Sequence, residues 1–303
     1  MSQFVFLGFS TCRPMQHFLL AISTVFYVRV VLGNFLVVFT VTFNSNLHSP
    51  MYFFLANLSF IDFCLSTLTV PKKISDLYPG YKTISFQGCV VQMFIFHILG
   101  GSEMVLLIFM ALDWYVAICK PLHYLTVTSP QICILLLFGA WVIGLIHSVP
   151  QLAFVVHLPF CGPEIDSFYC DLPWFIKLAC TDTYRMGFMI TANSGFISIG
   201  TLFLLIISYI FILVTVWKCS SDGLSKALST LWVHTTVVVL FFGSRIFVYM
   251  WLFPTVPVGK FLAIVDFMII PILNPILYIL RNKDMKVAMK RLSIQLLHLR
   301  KIS

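Results

Sequence analysis

Long apolar stretches alternate along the chain with shorter segments that hold most of the proline, glycine and charge. A helix needs about 20 predominantly apolar residues to cross the hydrocarbon core of a bilayer. Stretches of this kind cover 18–43, 50–71, 89–115, 131–153, 187–217, 227–252 and 259–280. The pattern predicts an all-α membrane protein, in which residues 1–303 form one domain with a bundle of seven transmembrane helices.

Two further segments have patterns of their own. Residues 154–186 form the longest stretch between spans, and they are the one loop long enough to contain structure. After the seventh span, apolar residues recur every three or four positions and so share one face of a helix. They are Met285, Met289, Leu292, Leu296 and Leu299. With lysines on the other faces, this predicts a short amphipathic helix over 282–299 on the membrane surface, rather than a solvated tail.

Composition agrees with a lipid environment. The 303 residues are 60% hydrophobic and 10% charged, with a mean hydropathy of +0.98. The net charge is +8, but the basic residues are not arranged in motifs that read a nucleic-acid groove or stack on bases. We therefore expect no nucleic-acid partner. Basic residues instead crowd beyond the last span, where they are Arg281, Lys283, Lys286, Lys290, Arg291, Arg300 and Lys301. The positive-inside tendency places this end in the cytoplasm, and an odd number of spans then places the N-terminus outside.

Four cysteines lie on the side that this orientation exposes to an oxidising compartment. Cys89 begins the third span, and Cys161, Cys170 and Cys180 are spaced through the long loop. Two disulfides are therefore expected, and the sequence alone allows three pairings.

Carboxylates interrupt the second and third spans at Asp62 and Glu103. Charges in hydrocarbon are costly, so each needs a partner: the other acid, a cation, water, or the amides of Asn34 and Asn274. Such a cluster is typical of a conformational switch or a cation site, and equally of hydrogen bonds that hold helices together. It also motivates an alternative function, that of a transporter or channel using Asp62 and Glu103.

Enzymatic chemistry has no support in the sequence. There is no Gly-x-Ser-x-Gly, His-Glu-x-x-His or Walker-type loop, and histidines and cysteines lack metal-ligand spacing. We expect no enzyme, no cofactor and no metal, apart from a possible cation at Asp62 and Glu103. Internal repeats of the kind found in many transporters are also absent from the sequence, which disfavours a carrier.

Specific motifs resemble those of vertebrate odorant receptors. Residues 47–55, Leu-His-Ser-Pro-Met-Tyr-Phe-Phe-Leu, followed by Leu-Ser-Phe-Ile-Asp at 58–62, resemble the second-span signature of that family. Residues 110–124 resemble the end of its third span. Residues 226–230 with His234, and residues 271–283, resemble its sixth- and seventh-span motifs. Gly33-Asn34 and Ser208-Tyr209 fit the first and fifth spans, so the resemblance covers nearly the whole chain in order.

The resemblance implies a rhodopsin-like, G-protein-coupled receptor in the plasma membrane with an extracellular N-terminus. It implies that a small volatile odorant binds between the helices, and that the receptor activates a stimulatory olfactory G protein and so raises cAMP. It also implies the disulfides Cys89–Cys170 and Cys161–Cys180.

Site residues follow from the resemblance position by position. The implied ligand-binding residues are His97, Gly100, Gly101, Asn193, Ile197, Phe242, Arg245 and Tyr249. The implied switch and polar-core residues are Asn34, Asp62, Glu103, Asn274, Pro275 and Tyr278. The implied G-protein-coupling residues are Asp113, Trp114, Tyr115, Tyr209, Lys226 and His234. For any single ligand-binding position, simple helix packing is the competing interpretation.

The chain departs from the family pattern at several positions. Trp114 stands where the family has an arginine, and its indole has one donor and no charge. Phe242 replaces a tyrosine, and Arg29 and Arg245 add cations that cost about 2.5–3.5 kcal/mol each at a helix centre on insertion scales. The family's N-terminal glycosylation site is missing. These departures predict impaired coupling, trafficking or folding. A peptide receptor, another alternative, would favour a longer and more charged segment than 1–17.

Overall fold

The computed structural model describes residues 3–8, 13–77, 82–119, 124, 128–219, 221–250, 256–281 and 284–291. Within these ranges, side chains are not described for 46, 118–119, 154, 216, 218–219, 221–231, 233, 250, 256–257, 278 and 280–281.

The structure is a bundle of long helices. The first four spans are α1 (Arg13–Phe43), α2 (Pro50–Ser75), α3 (Phe86–Cys119) and α4 (Pro130–Val155). A short helix, α5 (Leu172–Leu178), lies in the long loop. The fifth and sixth spans are α6 (Tyr184–Cys219) and α7 (Ser221–Met250). The seventh consists of α8 (Val256–Ile264), a π-helical segment (Val265–Ile269) and α9 (Ile270–Arg281).

Among the described residues, six of these helical spans are long and apolar enough to cross a membrane. In the sixth, the described apolar helix is shorter, at His234–Tyr249. The prediction of a seven-helix, all-α membrane bundle is confirmed, and most helices extend beyond the predicted apolar stretches. Local sequence explains one such boundary, because Ser129 caps α4 by accepting a hydrogen bond from the Ile132 amide and Pro130 occupies the first turn.

The helix α3 is the centre of the bundle. Its membrane-spanning window is 72% buried, against 22% for α1 and 28% for both α4 and α6. Glycines allow α3 and α4 to approach closely: a Cβ atom on Gly144 would lie 2.5 Å from the Ile98 carbonyl oxygen, and one on Gly101 would lie 3.0 Å from the Gly144 Cα. Polar residues on α3 are therefore enclosed by protein rather than lipid.

One end of the bundle carries a small sheet and both disulfides, and we call it the disulfide end. Strand β1 (Gln3–Phe6) lies in the middle of the sheet, antiparallel to β2 (Thr83–Ser85) and parallel to β3 (Glu164–Ile165). Cys89–Cys170 joins α3 to the long loop, and Cys161–Cys180 closes a part of that loop. The pattern of the sequence does not predict this sheet.

At the opposite end, which we call the Trp114 end, a helix α10 covers 284–291, and the rest of the predicted 282–299 lies outside the described residues. Its fully buried Met285 belongs to an apolar cluster with Val37 and Leu55, while Lys286 and Lys290 are exposed. The apolar face of α10 therefore packs on the bundle itself.

Candidate functional site

At the disulfide end, the buried carboxylate of Asp171 ties the long loop to the sixth span. Its Oδ1 caps α5 by accepting from the Leu172 amide (2.8 Å) and also accepts from the Tyr249 hydroxyl (3.0 Å). Its Oδ2 accepts from the Tyr169 hydroxyl (3.2 Å). Burial raises the pKa of Asp171 to about 6, and these hydrogen bonds oppose that rise. Burial is also the main reason why the pKa of Tyr169 lies well above its ordinary value.

His97 of α3 lies beneath this carboxylate, with its Nε2 3.8 Å from Asp171 Oδ1. That nitrogen is buried and has no hydrogen-bond partner among the described residues. The His97 ring centroid lies 6.0 Å from that of His147 on α4 and 6.1 Å from that of Tyr249 on α7. His97 therefore lies where three spans and the loop meet.

Arg245 of α7 is buried and paired. Its Nη2 lies 3.6 Å from Glu103 Oε2, and its guanidinium lies 4.3 Å from the Phe241 ring centroid and 5.6 Å from that of Phe96. A Cβ atom on Gly100 would lie 2.6 Å from Arg245 Nη1, so the absence of a side chain there makes room for the guanidinium. Arg245, which was expected to be costly inside a span, is thus paired with a carboxylate and packs on two aromatic rings.

The predicted polar core is connected by hydrogen bonds between spans. The Asn274 amide donates to Asp62 Oδ2 (2.7 Å), and the Asn34 amide donates to the Pro271 carbonyl (2.8 Å). Gly33 packs against Pro275. Of the predicted core, the Tyr278 side chain lies outside the described residues.

Asp266 belongs to the same region, although it is not among the residues predicted from the sequence. It lies in the π-helical segment of the seventh span and accepts a hydrogen bond from the Ser244 hydroxyl of α7. π-helical turns are frequent at functional sites. Its signal in the sequence was the one that marked Asp62, an acid inside an apolar stretch.

The structure brings together half of the predicted ligand-binding residues. His97 lies beside Tyr249, Arg245 lies beside Gly100, and the Phe96 ring joins the two pairs, since its centroid lies 5.3 Å from that of His97 and 5.6 Å from the Arg245 guanidinium. The other four lie at helix interfaces: Gly101 faces α4, Asn193 donates to the His147 carbonyl (3.4 Å), Ile197 packs on the main core, and Phe242 is fully buried beside Phe241.

At the Trp114 end, aromatic contacts join three spans. The Trp114 ring centroid lies 4.5 Å from that of His234, and Tyr209 shares a hydrogen bond with His234 Nδ1. Asp113 accepts a hydrogen bond from the Tyr124 hydroxyl (3.0 Å), so it has a partner although the neighbouring position is tryptophan. The Tyr115 ring packs on Phe211 at 6.4 Å. The Lys226 side chain lies outside the described residues.

Internal partners account for the acids that motivated a transporter or channel. Asp62 is bound by Asn274, and the cation beside Glu103 is the guanidinium of Arg245. Across the part of the chain that the structure describes, no group of three or more histidine, cysteine, aspartate or glutamate side chains could hold a metal ion.

Seven apolar spans around a polar core, with a disulfide-linked loop over one end, define the class of seven-helix membrane receptors. Residues 23–296 match the sequence model of the olfactory receptor family. The chain is 60% identical to human Olfactory receptor 4F6 and 58% identical to human Olfactory receptor 4F15, each over 302 residues, 99% of this chain and 97% of the relative. It is 50% identical to human Olfactory receptor 4K5 over 303 residues, all of this chain and 94% of the relative. The chain belongs to the olfactory receptor family, and it is a multi-pass membrane receptor rather than an enzyme.

Proposed function

We propose that residues 1–303 form a single odorant-receptor domain, which binds a small volatile molecule where His97, Gly100, Arg245 and Tyr249 meet, and which activates a stimulatory G protein to raise cAMP. The observation that carries the ligand site is the convergence of α3, α7 and the Asp171 loop on one buried region. The membrane-spanning bundle and the family membership support the receptor function.

The chemistry of this region suits a small molecule with one polar group. Phe96 and Phe241 supply apolar walls. His97 Nε2 and Arg245 Nε are buried atoms without a hydrogen-bond partner within the described ranges. Buried polar atoms are costly to leave unpaired, so a ligand oxygen or hydroxyl that bonds to them gains both affinity and orientation.

The test is a screen of an odorant panel in reporter cells with a cAMP readout, followed by two histidine variants on any active odorant. His97→Ala is expected to raise the half-maximal concentration at least tenfold, because it removes the unpaired Nε2. The control is His157→Ala, an exposed histidine in the long loop. With surface expression matched, equal responses of the two variants would overturn the proposed ligand site.

The proposed orientation places the disulfide end outside the cell and α10 in the cytoplasm. The basic segment after the last span and the oxidising compartment that disulfides require both support it. An epitope tag before Gln3 is expected to be stained on intact cells, and a tag after Ser303 only after permeabilisation. The reverse staining would contradict the orientation.

We also propose that Trp114 weakens coupling. Its indole packs on His234, and it lacks the charge that the family's arginine brings to this position. Trp114→Arg is expected to raise odorant-evoked cAMP, with Trp114→Phe as the control that keeps an aromatic ring. Equal basal and evoked cAMP in Trp114→Arg and the parent chain, at equal surface expression, would sink the claim.

A further inference from the structure

Two arginines lie inside the apolar stretches of the sequence, Arg29 in the first and Arg245 in the sixth. The structure gives them opposite surroundings. Arg245 is buried beside the carboxylate of Glu103. Arg29 is exposed on α1, and it makes no ion pair or hydrogen bond with any residue that the structure describes. Arg29 is therefore a cation inside a span whose partner lies outside the bundle.

Arg29 lies near the middle of its span. The apolar stretch of α1 runs from Phe18 to Phe43, and Arg29 is roughly 16 Å from the first and roughly 21 Å from the second along the helix axis. Both distances exceed the length of an extended arginine side chain. Because a guanidinium keeps its charge, it cannot avoid the cost of hydrocarbon by losing a proton. An anionic partner would remove most of this cost.

The surface around Arg29 is open and otherwise apolar. Val25, one turn before it, is 52% exposed, and Leu32, one turn after it, is 55% exposed. Residues three or four positions apart share one face of a helix, so the three side chains form a continuous row, which we call the Arg29 stripe. Only 22% of the membrane-spanning window of α1 is buried, so the stripe is accessible to another helix.

The chemistry of the partner follows from the charge and depth of Arg29. A carboxylate in another transmembrane helix lies at the right depth and binds a guanidinium through two parallel hydrogen bonds. A second copy of this chain does not present such a group on its described spans. Asp62, Glu103 and Asp113 are at most 4% exposed. Asp266 is taken up by the hydroxyl of Ser244.

Phospholipid headgroups fit Arg29 less well. Their phosphates lie at the two surfaces of the bilayer, and helical side chains lean towards the N-terminal end of their helix, which for α1 is the disulfide end. That end is proposed to face outside, whereas anionic lipids concentrate in the cytoplasmic leaflet. A protein carboxylate at the same depth is the partner that the position of Arg29 favours.

We propose that the Arg29 stripe is a docking site for a transmembrane helix of a partner protein, which presents an aspartate or glutamate at the depth of Arg29 and pairs it with the guanidinium. Val25 and Leu32 pack on apolar side chains of the same helix. The stripe lies on the outer surface of the bundle, away from the proposed odorant site and the Trp114 end. Its test therefore needs neither odorant nor G protein.

The experiment places the purified full chain in phosphatidylcholine liposomes with a synthetic probe, a single-span helix of about 20 leucines with one glutamate at its centre and a photoreactive leucine beside it. A mildly alkaline buffer keeps the glutamate ionised. Peptide mass spectrometry is expected to find label within 22–36 of α1, at least fivefold more than with a probe that has leucine at its centre. Equal labelling by the two probes overturns the proposal.

Three variants test the role of the guanidinium. Arg29→Leu is expected to reduce labelling by the glutamate probe to the level of the leucine probe, and Arg29→Lys, which keeps a cation, to retain at least half of it. The matched control is Arg13→Leu, which removes an exposed arginine from the first turn of the same helix and is expected to label like the parent chain. Equal labelling of Arg29→Leu and Arg13→Leu overturns the site.

Two further results would assign the Arg29 stripe to another occupant and overturn the proposal. One is a loss of labelling when half of the phosphatidylcholine is replaced by phosphatidylglycerol, because Arg29 would then prefer a lipid phosphate. The other is pairing of receptors without the probe that disappears in Arg29→Leu, which would assign the stripe to a second copy. Thermal unfolding of each variant in the same liposomes distinguishes a loss of label from a loss of fold.

Discussion

The two ends of the bundle are held together by different kinds of contact. At the disulfide end, two covalent links, a three-stranded sheet and the buried Asp171 connect the loop to the third and sixth spans and to strands β1 and β2. Lys260 adds a link, because its Nζ donates to Asp166 Oδ1 at 2.6 Å and to the Gly8 carbonyl. The covalent links keep this end closed when single contacts break.

At the Trp114 end, the contacts described above between α3, α6 and α7 are non-covalent, and they are the Trp114–His234 and Tyr115–Phe211 ring pairs and the Tyr209–His234 hydrogen bond. Each can break and re-form without breaking a covalent bond. The end proposed to bind odorant is therefore held by covalent links, whereas the end proposed to meet the G protein can rearrange at low cost.

The largest loss of stability is expected when the disulfide that closes the longer loop is removed. Cys170→Ser breaks Cys89–Cys170, whose cysteines are 81 residues apart, and on the chain-entropy model this costs about 4.5 kcal/mol. We expect the variant to be retained inside the cell, measured as loss of surface staining. Cys64→Ser, at a free cysteine, is the control, and normal surface levels of both variants would show that the disulfide end does not depend on this link.

A slightly smaller loss of stability is expected from a change in the polar core that lies between the two ends. Glu103→Gln leaves the buried Arg245 without its carboxylate, which costs about 3–5 kcal/mol in comparable pairs. Thermal unfolding should show this loss, and Glu103→Gln combined with Arg245→Met should recover most of it. Arg29→Met, at an exposed arginine of α1, should leave stability unchanged or higher. A double variant as unstable as Glu103→Gln alone would contradict the pairing.

The Asp171 carboxyl should make the disulfide end sensitive to pH. Because folding raises its pKa from 3.8 to about 6, the folded chain binds more protons than the unfolded chain between these values. Stability is therefore expected to fall as the pH rises from 4 to 6 and to stay lower above that range. At about 1.4 kcal/mol for each pH unit, the change is at most about 3 kcal/mol.

The measurement compares melting temperatures at pH 4 and pH 7 for the parent chain and Asp171→Asn. The asparagine keeps a helix cap and does not titrate, so its melting temperature should change less between the two pH values. Asp182→Asn, at an exposed acid of the same loop, should behave like the parent chain. Identical pH dependence of all three proteins would show that Asp171 does not titrate in this range.

The smallest effect is expected at the Trp114 end. Tyr209→Phe removes the hydroxyl that bonds to His234 and should lower the free energy of unfolding by about 1 kcal/mol. Tyr115→Phe is the control, since its ring contact with Phe211 remains. A loss of unfolding free energy as large as that expected for Cys170→Ser would remove the difference between the two ends.

Much of this architecture could be predicted from the sequence, because long apolar stretches directly indicate helices that lie in lipid. The requirement that Asp62 have a partner was also predictable, since a charge in hydrocarbon is costly wherever it lies. Its actual partner, Asn274, was among those expected. Both disulfide pairings were implied only by the resemblance, since the spacing of four cysteines allows three.

The pairing of Arg245 with Glu103 could not be predicted, because it depends on how α3 and α7 are rotated in the bundle and on the space left by Gly100. The role of Asp171 was missed for a related reason. A loop acid normally remains in water, and nothing local shows that this one is covered by Tyr169, Tyr249 and His97. Both the pairing of Arg245 and the burial of Asp171 depend on packing between residues far apart in the sequence.

The position of β1 in the middle of its sheet has a consequence for biosynthesis. Gln3 pairs with Ser85, and Val5 pairs with Glu164, so β1 is synthesised well before both of the strands that flank it. At about 5–20 residues per second, roughly 8–30 s separate the synthesis of β1 from that of β3. During that interval Phe4 and Phe6, which end fully buried, have only part of their final cover. Chaperone contact with the nascent receptor should therefore concentrate on β1 until β3 has been made.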